Sequence, residues 1–423
     1  MRTLAALLLA LAGIAVAALP APALAGSWSA PRVATSAGTA SPPSAAADDR
    51  GRLAMGWVRT IGGLRRAEVR HGTVRGFLRS RAIVLDRSTG NVDTVAVAFT
   101  PDGVLAAAWR RFLDAAQRVQ GATVSTGGST SGPFELTPDG RESAYQPAFV
   151  AGAGGSPLVT WTRRTTAAAR PVHGSAFGAP IALPVPGIAA TPSIVVDRDG
   201  TTVVAWTEGG RVLAAQAPAG GAFGNAARIS AAGFARAPQL TVTGDGDVAA
   251  AWLSNAGQGN AVHVAVRPRG GAFGPSSQVV EPGQNAFAPR LAAIAAGEVL
   301  LAWINTRAAN GFAGGRGVVR LQRLGAAARP LSGPVQLSPD GVRASAPALA
   351  PDGAGGALVA WTDFRAGLGT VQARRIVPGG ILGPVRTLSR RATGITTPQL
   401  AGSNGRAVAA WLAGGDVRYS VYR

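Results

Sequence analysis

"PQLTVTGDGDVAAAWLSN", Pro238 to Asn255, holds two apolar runs separated by Gly244-Asp245-Gly246-Asp247, and the second run ends in Trp252. The Asp-Gly step is a strong short-range hairpin signal. Proline at the head of the first run suits a strand end, where a missing N–H costs least. The apolar-Ala-Trp ending recurs at Trp57, Trp109, Trp161, Trp206, Trp252, Trp303, Trp361 and Trp411, at steps of 45 to 58 residues. A period near 50 filled by short strands is the mark of a β-propeller, whose blades carry four strands each.

Each copy has the same four parts. A Pro-headed strand (PSIVV, PQLTV, PRLAA) leads into a turn such as Asp199-Gly200, Asp245-Gly246, Asp352-Gly353 or Asn404-Gly405, read as a two-residue hairpin. The Trp-ended strand follows and is apolar on both faces, as a strand covered on each side must be. A more polar third strand (RVLAAQAP, AVHVAVRP, TVQARRIV) and a Gly-Gly-led fourth (GGAFGNAARI, GGAFGPSSQV) complete the unit. The expected class is all-β: a propeller of eight four-stranded blades, or seven if one early copy is degenerate. The third strands around Leu64–His71 and Ala115–Val124 are the hardest to place. The last copy ends after its third strand, and GSWSAPRVAT near the N-terminus reads as a fourth strand. Residues 27–34 are therefore expected to pair beside 415–423 and close the ring, which removes two sheet edges.

The leader MRTLAALLLALAGIAVAALPAPALA reads as a secretory signal peptide cut after Ala25, leaving 26–423 as one propeller domain. That implies an exported protein, at the cell surface or outside the cell, with no integral membrane association once the leader is removed. The sequence has no cysteine, so an exported fold must rest on a large core and not on disulfides. Net charge is +20, every basic residue is Arg, and no Arg run exceeds two. Scattered charge argues against a specific nucleic-acid partner. The expectation is a monomer.

The order Pro-x-Leu, Asp-Gly, Val-Ala-Trp, polar strand, Gly-Gly-x-Phe-Gly-Pro resembles the bacterial neuraminidase repeats of sialidase-like β-propellers. The resemblance covers residues 26–423 and implies the propeller fold. That family joins its third and fourth strands with a Ser-x-Asp-x-Gly-x-x-Trp box. Here the joins read APAGGAF (217–223), RPRGGAF (267–273) and VPGGIL (377–382), without the Ser and Asp. Its Arg-Ile-Pro is absent, and Tyr145 is the sole Tyr outside the last strand. No catalytic residue carries over, and no cofactor or metal is implied.

The eight Trp occupy one repeat position and are read as core, because a residue present in every blade serves the blade. His71, His173 and His263 fall in third strands of separate copies and are read as structural. Asp197-Arg198-Asp199-Gly200 and Gly244-Asp245-Gly246-Asp247 alternate oxygen ligands as Ca²⁺ loops do, but lack the downstream bidentate Glu.

The residues that differ from copy to copy lie after the Trp and before the Pro, on one side of the ring, where a repeat scaffold displays function. After the Trp stand Arg59, Arg110, Arg111, Arg163, Arg164, Glu208, Asn255, Asn305, Arg307, Asp363 and Arg365; before the Pro stand Glu142, Tyr145, Phe234, Arg236, Phe287 and Arg343. The expected ligand site draws on Tyr145, Arg163, Arg164, Glu208, Phe234, Asn255, Phe287, Asn305, Arg307, Asp363 and Arg365. Aromatic faces beside Arg suit an acidic glycan or a peptide carboxylate. The expected function is non-catalytic binding or scaffolding. The alternatives are a sialidase-like glycoside hydrolase with a rebuilt site, using Glu208 and Asp363, and a purely structural extracellular protein.

Overall fold

The computed structural model describes residues 26–35, 37–86, 91–113, 116–137, 143–150, 156–164, 166–186, 192–255, 259–279, 284–295, 297–307 and 317–423. The leader and Glu142 lie outside the described residues.

Eight antiparallel sheets form the blades of a propeller. The blade around the opening sequence, blade 5, runs from its inner strand Phe234–Val242 through Val248–Asn255 and Asn260–Arg267 to a two-residue outer strand, Ser277–Gln278. The others repeat this order, numbered from the Trp57 blade. Three sheets carry a fifth piece. In blades 1 and 7 the inner strand is broken in two, and in blade 3 two short segments share the outer edge. The third strands that were hard to read are Leu64–Thr73 and Ala116–Val124.

Blade 8 takes its outer strand from the N-terminus: Arg32 pairs with Tyr419 and Val33 with Arg418. Ser27 and Arg423 exchange backbone bonds at 2.8 and 3.2 Å, and Ser29 N donates to Val421 O at 2.8 Å. Trp28 lies against Tyr422 with ring centroids 5.3 Å apart. A short helix, Val74–Arg79, seals the same seam. Its Phe77 meets Tyr419 edge-on at 5.4 Å, and Arg70 of blade 1 donates to the Tyr419 hydroxyl at 2.7 Å.

The eight repeated Trp are buried, each 2% exposed or less. Each packs against the preceding blade: Trp109 on blade 1, Trp161 on blade 2, onward to Trp411 on blade 7, and Trp57 on blade 8. One large ring per interface repeated head to tail is how the chain builds a core without disulfides.

Two local features differ from the sequence reading. Of the four turns named above, Asn404-Gly405 alone is a two-residue turn; both residues have positive φ (52° and 68°), and Ser403 pairs with Arg406. The Asp-Gly turns at Asp199-Gly200 and Asp245-Gly246 are one residue longer, closed by Asp197 N to Thr201 O and Thr243 N to Asp247 O, with the glycine at φ 79° or 91°. Asp352-Gly353 likewise belongs to a longer turn, closed by Asp352 N to Gly356 O. The leading side chain explains the extra residue: at the Asp245-Gly246 turn it is the Thr243 hydroxyl, which accepts from Asp247 N at 3.1 Å, and in the other two a carboxylate. Asp197 Oδ1 accepts from the Asp199 and Thr201 amides, and Asp352 Oδ1 from the Ala354 and Gly356 amides, so the side chain organises the loop. The Ca²⁺-like spacing at Asp197 is this turn chemistry.

The second difference concerns the residues before the Pro. They are not loops. In blades 2, 3, 5 and 6 the inner strand continues upward through a bulge, with Thr94, Gln146, Ala237 and Ala288 at φ 48° to 54°. The extension pairs with the residues after the Trp: Tyr145 with Thr162, Phe234 with Asn255, Phe287 with Ile304. A bulge re-aims side chains at a rim, and here it builds a collar above the inner strands.

Candidate functional site

The inner strands enclose a central channel of about 780 Å³ lined by Phe149, Ile194, Leu240, Leu291 and Leu349, with Thr160, Ser193, Gln239 and Thr241 as its polar groups. Among the described residues no charged side chain lines it.

On the collar most arginines are tied to their own blades. Arg110 binds the Asp93 carboxylate through both Nε and Nη2, donates to Gln117 at 2.9 Å, and lies between Phe112 and Tyr145 at 5.0 and 5.7 Å from the ring centroids. This clasp joins blades 2 and 3 and occupies Tyr145. Arg59 donates to Ala37 O at 3.0 Å and to Glu68 at 3.4 Å; Arg111 reaches Gln120 at 3.3 Å; Arg343 covers Phe364 at 5.0 Å. Arg163 is half-buried, whereas Arg164, Arg236 and Arg365 are exposed.

The two acids expected to pair across a substrate have another task. Trp206 Nε1 donates to Glu208 at 2.9 Å, and Trp361 Nε1 donates to Asp363 at 2.8 Å. Residues i and i+2 of a strand share a face, so the Trp-x-acid spacing sets a carboxylate beside its own indole. In blade 1 the cross-strand partner Glu68 does this, accepting from Trp57 at 3.1 Å. Glu208 is exposed and Asp363 buried, in blades three apart.

Burial pushes the Asp363 carboxyl above the ordinary carboxylate range, opposed by the Trp361 hydrogen bond and the Arg365 charge. Burial raises Glu68 likewise, opposed first by Arg59. A raised folded value means the native state holds its proton longer than the unfolded chain. The stability Asp363 contributes is therefore full at low pH and falls as pH rises from the unfolded carboxylate range through the folded value. Measured across that window, wild type is expected to lose stability relative to Asp363→Asn. A pH-independent difference between the two would contradict this.

Three of the eleven expected residues, Glu208, Phe234 and Asn255, meet at the boundary of blades 4 and 5. Phe234 is 52% exposed, and its ring lies over Gly210 in the turn that follows Glu208. A Cβ at Gly210 would stand 2.7 Å from that ring, and φ there is +72°, so glycine makes the seat. Ala235 N donates to Gly210 O at 2.6 Å and fixes the extension on the turn. Arg236 stands 6.0 Å from the Phe234 centroid and donates to Asn260 Oδ1 at 3.3 Å. Asn255 pairs with Phe234 across the strands, and Arg211 faces Glu208 across the turn. Arg211 and Arg236 were outside the expected set; their cross-strand and i+2 relations to Glu208 and Phe234 were the available signals. The other expected residues do not join this patch. Phe287 is half-buried and Asn305 8% exposed in blade 6, and Asp363 and Arg365 lie in blade 7. Arg307 ends the second strand of blade 6; its side chain lies outside the described residues.

His71, His173 and His263 lie in the third strands of blades 1, 3 and 5. His263 stacks on Trp252 at 6.2 Å and 19°, and His173 Nδ1 meets Ser156 Oγ at 3.0 Å. Burial lowers the ring pKa of His71 and His263, assisted at His71 by Arg52.

No protein-family model matches the sequence, and no curated protein matches it. Solved structures do share the fold. A polysaccharide lyase described as an ulvan lyase aligns at 10% identity with a TM-score of 0.51, over 79% of this chain and 91% of its own. Prolyl oligopeptidase B from Galerina marginata, bound to a 25mer macrocyclization substrate, aligns at 13% identity with a TM-score of 0.51, over 88% of this chain and 55% of its own. At these identities the likeness is one of architecture.

Proposed function

We propose that the protein is an exported, non-catalytic propeller that binds an acidic glycan at the rim between blades 4 and 5. The observation that carries this reading is Phe234: its ring lies against Gly210, the residue is 52% exposed, and the Arg236 guanidinium stands 6.0 Å from the ring centroid. A fixed, exposed aromatic offers a stacking surface for a sugar ring, and guanidinium groups hold carboxylate or sulfate. Arg236 and Arg211 provide the cations, and Asn255 a neutral polar partner. The non-catalytic part is supported by Glu208 and Asp363 each accepting an indole N–H in blades three apart. Export is supported by the leader sequence. The sialidase-like repeat pattern and a lyase among the structural neighbours agree with a sugar ligand, but at 10% identity the neighbour supports the fold only.

The test is an array of carboxylated, sulfated and neutral glycans probed at low and at physiological salt. Selective acidic-glycan binding that survives physiological salt is expected. Phe234→Ala or Arg236→Ala should weaken it about tenfold, the scale of one stacking or cation–π contact. Binding to every polyanion that fades with salt would overturn the reading, because it would mark the +20 charge as non-specific. Breakdown of an array glycan would return the hydrolase reading.

A further inference from the structure

Arg267 ends the third strand of blade 5 and is buried, its side chain 3% exposed. Its cross-strand partner Val248 stands four residues before Trp252. At the same position blades 2, 4, 6 and 7 carry Val124, Ala217, Leu324 and Ile376. A buried cation in place of an apolar residue needs a counter-charge and hydrogen bonds. Asp197 Oδ2 accepts from Arg267 Nη1 at 3.1 Å, and Gln216 Oε1 accepts from Nε at 2.5 Å. A guanidinium has five N–H groups, and neither bond uses Nη2. Nη2 has no hydrogen-bond partner among the described residues, yet water can reach it.

Arg267 lines a cavity of about 130 Å³ between blades 4 and 5. At ~30 Å³ per water, that is room for about four waters or one short-chain acid. Val203, Ile229 and Phe273 supply an apolar wall, and Asn225 and Arg228, both exposed, stand at the mouth. Arg228 donates from Nε to Ser230 O at 2.8 Å and from Nη2 to Ala231 O, which fixes its guanidinium and leaves Nη1 without a partner among the described residues. No acid among the described residues lines the cavity. We propose that it binds a short-chain aliphatic carboxylate of about four carbons. Arg267 Nη2 and Arg228 Nη1 hold the carboxylate, as guanidinium groups do, and the chain lies against the apolar wall. The site is independent of the Phe234 rim: Phe234 and Asn255 pair at one end of the blade 5 strands, Val248 and Arg267 at the other.

The test is NMR of the isoleucine δ1-methyl signals, with Ile229 assigned through Ile229→Val. Butyrate is the probe, butanamide its neutral counterpart, and chloride an anion without a chain. Butyrate is expected to shift the Ile229 signal saturably, and the other two to leave it in place. Arg267→Lys keeps a cation for Asp197 but withdraws Nη2, and should weaken the titration about tenfold, the scale of one hydrogen bond to a charged group. Arg228→Ala, at an exposed residue away from the Asp197 pair, should weaken it by a similar factor and keeps the test open if Arg267→Lys fails to fold. An unmoved Ile229 signal with butyrate, an equal shift with butanamide or chloride, or a titration unchanged in either arginine variant would overturn the proposal.

Discussion

A chain lacking residues 26–34 is expected to lose about 5 kcal/mol and to associate in solution. The missing segment makes the Ser27–Arg423 pair, the Ser29–Val421 bond and the Arg32–Tyr419 and Val33–Arg418 ladder. It also carries Ser29, whose carbonyl accepts from Ser420 Oγ at 2.5 Å and whose hydroxyl accepts from Val421 N at 3.1 Å. At roughly 1 kcal/mol net per hydrogen bond, five or so such bonds give the stated figure. The third strand of blade 8, Asp416–Tyr422, would then face solvent with unpaired backbone groups, a template for another chain. Denaturant unfolding and size-exclusion chromatography read both effects. A monomeric truncated chain of parental stability would show that the N-terminal strand is not the latch.

Asp197→Ala is expected to destabilise the fold by about 3–5 kcal/mol, the cost of leaving one member of a buried ion pair alone. Asp197 Oδ2 accepts from Arg267 Nη1 at 3.1 Å, with side chains 0% and 3% exposed, and this pair joins blade 4 to blade 5. The substitution also takes the acceptor from the Asp199 and Thr201 amides. Arg267 Nε would keep its bond to the Gln216 side-chain Oε1 at 2.5 Å, a neutral acceptor in place of a charge. The neighbouring Asp199–Arg269 pair spans the same blades but is 39% and 55% exposed. Exposed pairs contribute little, so Asp199→Ala is the control and should leave the unfolding midpoint unchanged. Equal effects of the two substitutions would mean that burial does not set the energetics of this interface.

The ring was legible because its signal is periodic. Trp57 through Trp411 mark one position eight times, and the unfinished last copy with a spare strand near the N-terminus predicted the closure. What escaped was set by side chains acting on backbone. Asp197 and Asp352 lengthen their turns through their own carboxylates, which an Asp-Gly pair does not reveal. The non-glycine bulge residues Gln146, Ala237 and Ala288 carry no turn signature, so the inner strand was expected to begin at the proline. Glu208 and Asp363 looked like variable rim residues, yet their spacing from Trp206 and Trp361 already placed them beside an indole. The Phe234 seat depends on Gly210 of the neighbouring blade, a contact between segments that no local pattern contains.

The brief outer strands give the arginine excess a second meaning. Ile83–Val84, Ala227–Arg228, Ser277–Gln278, Val335–Gln336, Arg386–Thr387 and the closing Arg32–Val33 are each two residues long. A ladder that short cannot recruit a neighbour's backbone for long, and Arg32, Arg228 and Arg386 add a fixed positive charge at three of them. A rosette with this outline meets its own copies as one cation meets another. At these three edges the arginine charge therefore opposes the approach of a second copy's strand, a contribution to solubility that needs no ligand.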